Sequence, residues 1–227
     1  MSLLLAACAT GPHAIPGPAA RVSRAEAMQI AEAYASLQWA PTEANVLHGP
    51  DADGIHVLTP DEGLARLGHI HGWWKSGKTN TGMPYQWGGF DTPQHFLDKL
   101  KQGHAAGDIA TAEKRRLDDA AVSRHACGID CSGLVSRCWR LARHTSTDEL
   151  ARLCVPLKSI WMLQPGDILL KPGHVLLVQR WDPIRDANVL VYEATLKPKW
   201  RVHRTSKSLR EIEAHGYQPL RYRKMAE

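Results

Sequence analysis

Three cysteines crowd one short stretch, HACGIDCSGLVSRCWRL (residues 125–141): Cys127, Cys131 and Cys138. A thiol can ligate a metal, cross-link, fill a core or act as a nucleophile. Cys127 and Cys131 have the spacing of half a zinc site. No second pair follows, only Cys138, Cys154 and scattered histidines, and a closed zinc site needs four ligands. Neither a metal nor a cofactor is expected. Cys138 falls on the apolar face of a helical period, where cysteine serves as a small hydrophobe. Cys154, beside Val155 and Pro156, has no special feature. Cys127 stays open between a free thiol and half of a disulfide.

Cys131 stands where a loop becomes a helix, with Gly128 before it and Gly133 after it. Unpaired backbone N–H groups and the helix dipole favour a thiolate there. The same N–H groups could hold a developing oxyanion. Asp130 would oppose ionisation if its carboxylate faced the sulfur, so it is expected to point away, toward a ligand or the backbone. A thiolate nucleophile needs a group that takes and returns a proton, and histidine suits neutral pH. Of twelve histidines, His174 stands out by position. In QPGDILLKPGHVLLV it follows a Pro-Gly turn and opens an apolar strand, which would fix it beside an open rim. The other reading is a surface histidine at a strand end. The next strand, NVLVYEAT, brings Glu193 alongside, either to orient the imidazole and favour its protonated form or as an ordinary edge glutamate.

The elements that must position these groups have their own signals. Residues 1–22 are rich in Ala, Gly and Pro and read as a tether. Ser23-Arg24-Ala25-Glu26 is a capping box, and Ala27, Ile30, Ala31 and Tyr34 recur at helical spacing to about residue 38. Residues 40–58 read as loop, and Thr59-Pro60-Asp61-Glu62 starts a short helix. The glycine- and aromatic-rich residues 72–92 read as a shaped loop. Residues 93–121 look helical with a break around Gly103–Gly107, and residues 131–142 form the helix that Cys131 opens. From residue 166 the period changes. GDILLKP, HVLLVQRW, NVLVYEAT, WRVHRTS and YQPLRYRK are short strands of an antiparallel meander, with a helix from Ser206 to Ala214 between the last two. Helices first and strands after predict an α+β domain.

Three motifs in one order, MPYQWGGFD, IDCSGLVSRCW and QPGDILLKPGHVLLV, resemble the NlpC/P60 cysteine peptidases across about residues 72–200. The resemblance implies a papain-like fold, with the nucleophile helix packed on an antiparallel sheet. It implies hydrolysis of peptidoglycan stem peptides, typically between γ-D-glutamate and a diamino acid. Carried over by position, Cys131 is the nucleophile and His174 the base. Tyr85 lies near the oxyanion and substrate, with Asp130 and Ser132 on the substrate side. The sequence departs from the family in three ways. The third catalytic position, more often His, is Glu193 here. About forty residues separate Gly89 from Asp130, where the family has a short connection, and this insertion is expected to border the cleft. No SH3-like or LysM wall-binding module is recognisable. The expected layout is a tether at 1–22, a helical extension at 23–71 and a catalytic domain at 72–227 with a helical insertion at 93–125. The same dyad could serve another amide or ester, or sit in an inert domain that binds wall peptides or a partner.

With 44% hydrophobic and 22% charged residues, a packed core is expected rather than disorder. The net charge of +5 is spread without a run of five like charges, so nucleic acid is not an expected partner. Leu5-Ala6-Ala7-Cys8 has the form of a bacterial lipobox. Either Cys8 is lipidated, with its signal starting upstream, or the match is chance in an apolar leader. The expectation is lipidation, membrane anchoring through Cys8 and a place in the bacterial cell envelope.

Overall fold

The computed structural model describes residues 15–68, 72–194 and 199–226. Cys8 lies outside them. Among the described residues, six α-helices and one main sheet hold the site. The helices are α1 (Arg24–Ala35), α2 (Pro93–Lys101), α3 (Ala112–Leu117), α4 (Cys131–Cys138), α5 (Thr147–Arg152) and α6 (Leu209–Ala214). The sheet strands are β1 (Cys154–Pro156), β2 (Ile168–Lys171), β3 (His174–Trp181), β4 (Asn188–Ala194), β5 (Val202–Ser208) and β6 (Gln218–Tyr222). Their order is β5-β4-β3-β2-β6-β1, antiparallel throughout. The mixed content is that of an α+β protein.

All five expected strands form, but only β2 to β5 run as a meander. After β5, α6 carries the chain over the sheet, and β6 pairs with the free side of β2. The short β1, which the sequence did not signal, then pairs with β6. The alternation of the strands sorts two apolar layers. Val175 and Leu177 of β3 pack toward α1 and α4, in a core that includes Ile30, Tyr34, Leu134 and Trp139. Leu176 and Val178 face the other way, with Leu169, Val191 and Ile212 of α6.

The capping box at Ser23 and Glu26 forms, and Ala27, Ile30, Ala31 and Tyr34 are the buried face of α1. That face belongs to the same core as α4, so α1 packs directly on the helix that Cys131 opens. The rest of residues 37–68 is mostly short two-stranded ladders and 3₁₀ turns. The last residues of the presumed tether lie against the domain: Val22 is buried and pairs with Met225. The short helix expected at Thr59 starts later, as a 3₁₀ segment at Glu62 capped by Asp61. Thr59 Oγ1 donates instead to Asp61 Oδ1.

Helix α4 ends at Cys138, not at residue 142. Arg140 takes φ +54°. Its N–H donates to Arg137 O and that of Leu141 to Ser136 O, the bond pair of a Schellman stop normally built on glycine. Here Arg140 is pinned by its side chain, which donates to Gly17 O and pairs with Glu26. The expected helical insertion is broken as read, into α2, a short ladder at Ala105–Ala106, α3 and a 3₁₀ turn. Among the described residues no helix is long and apolar enough to cross a membrane.

Candidate active site

Cys131 is the first residue of α4, and Asp130 is its N-cap. The Asp130 carboxylate accepts from the Gly133 N–H and from Ser132 Oγ (2.9 Å), and pairs with His144 Nε2 at 2.9 Å. It is therefore occupied by the backbone and two side chains, as expected of a carboxylate turned to the backbone. The first-turn amides that the cap does not use have no acceptor within the helix.

The loop before the helix is fixed by close backbone approach. A Cβ at Gly133 would lie 2.2 Å from Gly89 O, and one at Gly89 would lie 2.8 Å from Gly128 O. Gly88 has φ +66°, and a Cβ there would stand 2.3 Å from Val122 Cγ2. These contacts allow Tyr85, Trp87 and the two glycines to lie against the start of α4. The Tyr85 N–H donates to Trp200 O at 2.8 Å, and Tyr85 O accepts from Asp108 N–H at 2.8 Å. Burial, then the charges at Asp130 and Cys131, push the Tyr85 phenol well above its ordinary pKa, so it remains a neutral donor.

His174 opens β3 directly after a two-residue turn, Pro172-Gly173, with Gly173 at φ +72°. Proline followed by a left-handed glycine is the chemistry of a type II turn. His174 Nε2 stands 3.5 Å from Glu193 Oε2. Nδ1 is buried with no hydrogen-bond partner among the described residues, which leaves it as the nitrogen available to the Cys131 sulfur. Burial disfavours the charged imidazole. The Cys131 sulfur and the Glu193 carboxylate outweigh burial and raise its pKa to about 9.

Glu193 is only 3% exposed. Burial alone would raise its pKa, but His174, Lys207 and His203 hold it at about 2. Lys207 Nζ lies 3.0 Å and His203 Nε2 3.6 Å from Oε1, the oxygen that does not face His174. An ionised carboxylate with a cation on one oxygen and an imidazole on the other is a rigid orienter of the ring. Neither Lys207 nor His203 carries a signal in the sequence. Glu193 and His203 are cross-strand partners, a pairing that needs the register of β4 and β5.

One cavity reaches Cys131 and a second reaches His174. One, about 680 Å³, is lined by Tyr85, Trp87, Asp130, Cys131, Ser132 and His144, together with Asp118 and Asp119 after α3. The other, about 490 Å³, is lined by His174, Glu193, Lys171, Lys207, Trp200 and Tyr217. Arg115 of α3 and Gly173 border both. The 93–125 insertion thus forms a wall of the cleft. His144 and Arg115 had no signal in the sequence; a loop histidine and a helix-surface arginine acquire meaning only from what they face.

The other described cysteines are all free. Cys127 Sγ donates to Ala105 O, and burial pushes its thiol well up. Cys138 is fully buried on α4, which pushes its thiol well up, and burial raises Cys154 to about 12. None of these three can supply a thiolate near neutral pH. Compared with protein-family models, curated proteins and solved structures, the chain matches none.

Proposed function

We propose that the protein is a papain-like thiol hydrolase of NlpC/P60 type that cleaves amide bonds in peptidoglycan stem peptides. The observation that bears most on it is one constellation: a cysteine opening a helix, a histidine opening a strand, and a buried ionised glutamate behind that histidine. The three motifs of the sequence resemblance supply the substrate class, with the γ-D-glutamyl–diamino acid bond as its typical target.

In this reading the Cys131 thiolate is paired with the His174 imidazolium and attacks the scissile carbonyl. First-turn amides of α4 and the neutral Tyr85 phenol face the developing oxyanion. The C–N bond then breaks as His174 gives its proton to the leaving amine, and the acyl group stays on sulfur as a thioester. Water, deprotonated by the now neutral His174, releases the acid and restores the pair. Glu193 fixes the ring, and Asp130 and Ser132 lie on the substrate side. The protein acts in the bacterial envelope, anchored through a lipidated Cys8, with peptidoglycan peptides as its partner.

The test is a mass-spectrometric digest of soluble peptidoglycan fragments at neutral pH under reducing conditions, with wild type and Cys131→Ala. New stem-peptide products from wild type, reduced at least about 10³-fold in the variant, are expected. No products together with selective alkylation of Cys131 would mean another substrate. No products and no selective alkylation would overturn the enzyme reading in favour of a binding domain.

A further inference from the structure

The cavity beside His174 differs in charge from the one beside Cys131. On the Cys131 side, Arg143 is paired with Glu149 and His144 with Asp130, while Asp118 and Asp119 add two carboxylates. On the His174 side the carboxylates are engaged: Glu193 holds Lys207, and Glu211 closes the capping box of α6. Two cations there, Arg115 and Lys171, have no carboxylate partner among the described residues. Arg115 packs over the Trp87 ring at 5.8 Å and Lys171 over the Tyr217 ring at 4.8 Å. Both are held by aromatic faces, with their charge available to a ligand.

Lys171 is the direct cross-strand partner of His174. Paired residues project from the same face of a sheet, so the ammonium and the imidazole are set side by side by a two-residue turn. Trp200 also lines the cavity. Trp200 is 2% exposed, and its indole Nε1 is buried with no hydrogen-bond partner among the described residues. An orphaned buried N–H is costly unless something accepts from it. Two cations without a carboxylate partner on one cavity, with Trp200 in its wall, suit an anion with several acceptor oxygens.

The position of this cavity decides which part of the substrate it meets. His174 delivers its proton to the departing amine, so the amine side of the scissile bond leaves past His174. We infer that Arg115, Lys171 and Trp200 form a leaving-group subsite for a carboxylate: the hydrolase prefers substrates whose departing amine bears a free carboxylate close by, as in an unblocked amino acid. The subsite rests on the thiol-hydrolase reading, and it gives the insertion helix α3 a purpose, since Arg115 selects the leaving group from there.

The experiment compares two soluble γ-glutamyl peptides that differ only at the departing residue, a free α-carboxylate against its carboxamide. Wild type is expected to show kcat/KM roughly tenfold or more higher for the acid. Arg115→Gln and Lys171→Met should bring that ratio toward one, mainly through KM, while Arg115→Lys keeps part of it. Equal cleavage of both peptides by wild type would overturn the subsite and leave the hydrolase reading standing. A second arm measures binding of the released amino acid and its amide to Cys131→Ala by calorimetry. If neither peptide is cleaved but the acid form binds selectively, and Arg115→Gln abolishes that selectivity, the subsite stands without the hydrolase. Without cleavage or selective binding, both fall.

Discussion

At the scale of the residue, the chemistry turns on how His174 is charged. Its pKa of about 9 means that the ring is protonated at neutral pH and, in the proposed mechanism, can serve the leaving amine. Hydrolysis is therefore expected to fall as pH rises through about 9, read from kcat/KM against pH. Glu193→Gln keeps the shape but removes the charge that supports the imidazolium. The alkaline limb should move to lower pH and kcat should drop roughly 10²-fold. An unmoved limb would mean that Glu193 does not govern the ring. The choice of the proposed nucleophile is equally local. Four described thiols are buried, but only Cys131 sits at a helix N-terminus beside a histidine, so an alkylating reagent at neutral pH should label it ahead of Cys127, Cys138 and Cys154. Cys131 and His174 were legible in the sequence because each sits at a junction that local pattern reveals. Lys207, His203, Arg115 and His144 were not, because each gains its role from a partner ten or more residues away.

At the scale of the element, the site depends on the seam between the Trp87-Gly88-Gly89 loop and α4. Gly88→Val meets both a left-handed φ and a 2.3 Å contact with Val122. Its expected result is a folded protein with activity lost by tenfold or more, roughly the cost of a misplaced site, checked by circular dichroism beside turnover. Full activity in a folded variant would remove that loop from the site. Asp130→Ala strips the N-cap from α4 and should cost roughly 0.5–2 kcal/mol in urea unfolding. It also leaves His144 without its anion. The stop of α4 shows why helix ends resist reading. Nothing in RCWRLARH marks a left-handed residue, and Arg140 adopts that conformation because Gly17 and Glu26, far back in the chain, hold its side chain.

At the scale of the whole molecule, α1 and the sheet share one core. Ile30 is 3% exposed in the cluster that contains Leu134 and Val175. Ile30→Ala should cost about 2–5 kcal/mol and lower a single cooperative urea transition rather than a separate early one. Two charged groups set opposite limits on stability with pH. The raised His174 contributes stability that is complete below its unfolded pKa and is lost as pH rises through about 9. The lowered Glu193 contributes stability present above its ordinary value and lost as pH falls toward 2. Urea midpoints measured across pH should form a plateau between these limits, and Glu193→Gln should lower the plateau, move its alkaline end to lower pH and remove the part of the acid limb that Glu193 causes.

Local signals in the sequence determined the elements: the capping box of α1, the strand alternation from Ile168 to Tyr222, the glycines that admit close backbone approach, and the junctions that hold Cys131 and His174. Such signals depend on backbone sterics and burial period, which a few neighbouring residues fix. Tertiary structure alone decided that β6 returns to β2, that α4 stops at Cys138, that Lys207 and Glu193 pair behind the imidazole, and that α3 brings Arg115 to the cleft. Those outcomes are set by contacts between distant residues, whose energies exist only once the chain has closed on itself.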